Sequence, residues 1–180
     1  MNGIVEILKF FLPALAIGAA AYLIVLKWLE HDGKRQTPEN EKTAREMIVP
    51  ARMQAYERII LFLERITPEH LLRRVIRTGM SSRLLQSELV ATVRNEYEHN
   101  LSQQVYMSAA AWQLTKTAAE ETIRLINVCG SKTGASATAS DLAQMILEIT
   151  SRAGKFPTEV AIDGVKKEFA SQFFSTAANP

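Results

Sequence analysis

The chain has 180 residues, room for one domain plus a tail or an anchor. Apolar residues make up 47% and charged residues 22%, which excludes general disorder, and a net charge of +2 argues against nucleic acid as the partner. Cys129 stands alone, so an intrachain disulfide and a cysteine zinc cluster are both excluded, and a reducing compartment fits.

The first element in chain order is "FFLPALAIGAAAYLIVL", Phe10 to Leu26, which carries no charge. At about 1.5 Å per residue this run covers roughly 25 Å, close to the ~30 Å of a hydrocarbon core. Lys9 and Lys27 flank it, and Tyr22 and Trp28 lie near its C-terminal end. Residues 1–31 therefore read as a single transmembrane anchor. A cleaved signal peptide is the rival, with Ala19-Ala20-Ala21 as its cleavage site, but the apolar run continues past the alanines and the preceding stretch is poorly basic. After the span come Lys27, Lys34, Arg35, Lys42 and Arg45, against Lys9 alone before it. The positive-inside rule then places the C-terminal side in the cytoplasm and the N-terminus outside a bacterial inner membrane. Ala14 and Gly18, and likewise Ala16 and Ala20, stand four apart, a spacing that lets membrane helices approach closely and form an oligomer.

Residues 32–49 are polar, contain Gly33 and Pro38, and read as a juxtamembrane connector. Residues 50–180 read as a cytoplasmic bundle of five or six helices, so the fold class is all-α with a single N-terminal transmembrane helix. The first helix follows Pro50 and runs to about Ile66; "IILFL", Ile59 to Leu63, is apolar around most of its circumference and marks it as central. The second opens with Thr67 as cap and Pro68 at its first position and stops near Gly79. The third runs from Ser81 or Ser82 to about Asn100. The fourth is capped by Ser108 and reaches Val128, with Gly130 past its end and Trp112, Leu114, Ile123 and Ile126 as its apolar groups. The fifth spans about Ala139 to Ala153, ending at Gly154, and the sixth runs from Pro157 to about Phe173. No segment alternates with the period of a strand.

One spacing in the third helix suggests chemistry. Glu96 and His99 stand three apart, as in carboxylate-bridged metal sites. On a helical wheel, Leu89, Val90, Val93, Tyr97 and Leu101 form one stripe, and His99 falls almost opposite, while Glu96 sits at the stripe's edge. The other histidines are His31 and His70, and neither completes a second such motif. The expectation is no metal, no cofactor and no catalytic site. Cys129 near a helix C-terminus is a poor thiolate, and neither a Gly-x-Ser-x-Gly elbow nor a phosphate loop occurs.

The most unbalanced charge lies in "RITPEHLLRRVIRTGMSSR". Arg73, Arg74 and Arg77 fall near a helix end, where cations suit the dipole, and would also form a contact for anionic lipid or a partner. In that reading Arg73 and Arg77 share a face, and Leu71, Leu72, Val75 and Ile76 pack inward.

"QAYERIILFLERITP", Gln54 to Pro68, and "EYEHNLSQQVY", Glu96 to Tyr106, followed by Trp112, together carry a resemblance. The chain resembles an uncharacterised family of small bacterial proteins with one N-terminal span and a helical cytoplasmic domain. The resemblance implies that architecture and no activity, cofactor or site residue. The expected function is a membrane-anchored, non-catalytic binding protein: a scaffold, adaptor or accessory subunit with lipid and protein partners. Its rivals are a small enzyme with an unrecognised site and a lipid- or nucleic-acid-binding module using the arginines.

Overall fold

The computed structural model describes residue 15 and residues 18–27 and 48–174. The chain divides into two units between Val49 and Pro50. Of the first, residues 18–27 are helical, and Tyr22, Leu23, Ile24, Val25 and Leu26 all stand exposed, Ile24 at 68%. The remainder of the apolar run, with Ala14 and Ala16, and nearly all of the connector lie outside the described residues. Among the described residues no helix is long and apolar enough to cross a membrane.

The second unit is all-helical among its described residues. Helix α1 runs through 48–66 and is already formed two residues before Pro50. It buries Ala55, Tyr56, Ile59, Phe62, Leu63 and Ile66, spaced by three and four, while Leu61 is 55% exposed. "IILFL" is thus amphipathic in use, with Leu61 on its outer side. Helix α2, Pro68–Val75, follows with Thr67 at its N-cap position. The Thr67 hydroxyl does not cap α2; it donates back to the Leu63 carbonyl at 3.0 Å.

Helix α2 stops at Val75, four residues short of Gly79, because Ile76 turns extended. Leu71 and Leu72 are buried and Val75 packs on the core, but Ile76 is exposed, contrary to the sequence reading. The loop is held elsewhere: Ser82 N–H donates to Ala137 C=O and Ala139 N–H to Met80 C=O, both at 3.0 Å. These bonds tie the start of helix α3, Ser82–His99, to the start of helix α5, Ala139–Arg152. Ser81 caps α3 through Leu84 N–H, and Thr138 and Asp141 form a reciprocal capping box on α5.

A 3-10 turn, Leu101–Tyr106, separates α3 from helix α4, Ala109–Lys132. Leu101 leaves the helical register here, so it is exposed rather than part of the stripe with Leu89 and Val93. Helix α4 includes Gly130 and ends two residues later, past the sequence-expected stop at Val128. It packs against α3, α5 and, most extensively of these, helix α6, Pro157–Phe173. Its buried face is built from small groups, Ala111, Thr115, Ala118, Ala119, Thr122 and Cys129, with Ile126. Trp112, Leu114 and Ile123 pack at the flanks, half-buried. Small side chains let neighbouring axes come close, and the hydroxyls of Thr115 and Thr122 donate to carbonyls one turn back, Ala111 and Ala118, so their burial leaves no polar atom unpaired. On α6, Gly164 meets Leu114: a Cβ there would run into the leucine Cδ1.

Candidate functional site

Glu96 is engaged by two arginines. Its carboxylate, near the edge of the buried stripe, receives Arg65 at 2.8 Å and Arg74 at 2.9 Å. Arg74 also donates to the Arg65 carbonyl at 3.3 Å. Three elements, α1, α2 and α3, are thereby clamped through one acid. His99 is exposed, as the wheel implies. Among the described residues no three His, Cys, Asp or Glu side chains converge as a metal would need.

Arg73, Arg74 and Arg77 do not share one helical face. Arg74 is engaged with Glu96, and Arg77 lies beyond the end of α2, so it does not share a helical face with Arg73. All three positions are solvent-exposed. In the first unit, Gly18 and Ala20 lie within the described helix and are exposed, and nothing stands within 4 Å of a Cβ built on Gly18.

The densest polar constellation lies where α1, the 3-10 turn and α6 meet. Glu168, half-buried on α6, accepts from the Tyr56 hydroxyl, from the Ser108 hydroxyl and from the Ser108 N–H at 2.9 Å. Ser108 also accepts from Ala111 N–H as the cap of α4, so an acid of one helix anchors the cap of another. Tyr56 further reaches Gln172 at 3.2 Å. Arg52 donates to Gln172 and to the Tyr106 carbonyl, the latter at 3.2 Å, and its guanidinium lies 5.9 Å from the centre of the Phe173 ring. Tyr56 also packs against Phe169 and Phe173.

The electrostatics of this constellation decide what it can do. Desolvation would raise the Glu168 carboxyl, but the Ser108 and Tyr56 bonds, with Arg52 nearby, outweigh it and hold the group below its ordinary range. Desolvation first, then the Glu168 bond and charge, push Tyr56 up to about 12, with Arg52 opposing. Both groups move away from neutrality, whereas a general acid or base needs a pKa near the working pH. The pair acts as a lock between α1 and α6. Cys129 is fully buried in α4 and desolvation raises its thiol further, so it is a core group rather than a nucleophile.

Beside this lock runs a groove of about 400 Å³ between α1 and α6. Met53, Tyr56, Ile60, Val165 and Phe169 give it an apolar floor and walls, and Glu57 and Lys166 stand at its edges. Its lining is mostly apolar, with Tyr56, Glu57 and Lys166 as its polar side chains.

Sequence reasoning missed Arg52, Tyr56, Ser108 and Glu168 as a group, though it named Ser108 as a cap. The partners are separated along the chain by 60 positions for Ser108 with Glu168 and by 112 for Tyr56 with Glu168. No local spacing encodes such a meeting. The one available signal was a tyrosine on the buried stripe of α1, whose hydroxyl must find a partner.

The chain matches no curated protein and no solved structure. The model of a family of unknown function, DUF7935, matches residues 2–172, nearly the whole chain, and the protein belongs to that family.

Proposed function

We propose that this protein is a single-pass protein of the bacterial inner membrane whose helical domain, on the cytoplasmic side, acts by binding. It is a non-catalytic scaffold, adaptor or accessory subunit, with lipid around its anchor and protein partners at the same membrane. One observation carries the reading: residues 22–26 are five consecutive large apolar side chains, all exposed on a helix. Five successive positions at about 100° each cover the whole circumference, and an exposed helix that is apolar on every side suits lipid, not water. The excess of Lys and Arg after the run supports the orientation. A tether raises the local concentration of the domain for partners in the same membrane, so affinity can be modest and still effective.

The test is alkaline extraction of membranes from cells making the full chain with a reporter after residue 180. Retention in the membrane pellet with an active cytoplasmic reporter is the expected result. Release into the alkaline supernatant would overturn the anchor, and a reporter active only outside the cytoplasm would overturn the orientation.

A further inference from the structure

We draw no further inference here: the strongest candidate, the apolar groove between α1 and α6 lined by Met53, Tyr56, Ile60, Val165 and Phe169, is an unpartnered face whose edges carry one acid, Glu57, and one base, Lys166, and nothing in the structure shows what covers it.

Discussion

Replacing Glu168 tests the lock that joins α1, α4 and α6. The carboxylate accepts three hydrogen bonds, from Tyr56 and twice from Ser108. Bonds to a charged group are worth about 1.5–3 kcal/mol each when fully buried. Glu168 is only half-buried, and water can reach part of what it leaves behind, so the sum must be discounted. About 2–3 kcal/mol is expected for Glu168→Ala and about 1 kcal/mol for Glu168→Gln, which can still accept one of the bonds. In a domain of this size 1 kcal/mol moves the melting temperature by roughly 3–4 °C, so the alanine variant should melt about 6–12 °C lower.

The pH dependence gives the sharper test of that lock. The folded carboxyl lies below its ordinary value of 4.5, so its contribution is complete above that value. It is lost as pH falls through the lowered folded value, and the gap between parent and Glu168→Gln should therefore close in acid. At the other extreme, Tyr56 is raised from 10.0 to about 12, so its contribution is complete below pH 10 and is lost as pH rises toward 12. A Tyr56→Phe variant should lack the highest phenolic titration seen by ultraviolet absorbance. Circular-dichroism melts of the full chain in mild detergent, from acid to neutral pH, carry the measurement. A Glu168→Ala melt within about 2 °C of the parent, or a Glu168→Gln penalty that does not shrink in acid, would refute the reasoning.

Three further outcomes are expected. Glu96→Gln should cost no more than about 1 kcal/mol, because the Arg65 and Arg74 side chains remain partly in water, and the loss should fade as salt is raised in chemical denaturation. Gly154→Ala should cost about 1 kcal/mol, since φ there is +70° just past the end of α5; an unchanged denaturation midpoint would show that the turn relaxes. The Cys129 thiol should react with a disulfide reagent only on the timescale of unfolding, and complete labelling of native protein within the mixing time would contradict its burial.

Much of the fold follows from local physics, and that part was legible. Proline at the first position of α2 and α6, Ser108 before α4 and Gly154 after α5 each impose a backbone constraint within one turn of the chain. The outward placement of His99 followed from the 100° step of a helix, and the family likeness was carried by two short stretches. Where local rules were silent or balanced, the reading slipped. The end of α2 at Val75 is set by the pairing of Met80 and Ser82 with residues 137 and 139, which draws the chain out of the helix. Tyr56 and Glu168 could not be joined by spacing, since loop closure brings them together across 112 positions.

The sequence by itself determined that the chain is helical, that it carries a charge-free apolar run from Phe10 to Leu26, and that its single cysteine leaves no intrachain disulfide. These are properties of composition and of short-range periodicity, which act wherever the chain happens to lie. The tertiary structure decided which face of each helix is buried. Within "IILFL" Ile59, Phe62 and Leu63 are buried while Leu61 is exposed, and α4 packs on α3, α5 and α6 through Ala111, Thr115, Ala118, Ala119 and Thr122, because close approach of helix axes favours small side chains. It also decided what the charges do. Glu96 and Arg74 face one another only after α2 has turned back on α3, and Glu168 reaches Ser108 only after α6 has closed on α4. Such contacts depend on where whole helices sit, and no window of sequence contains both partners.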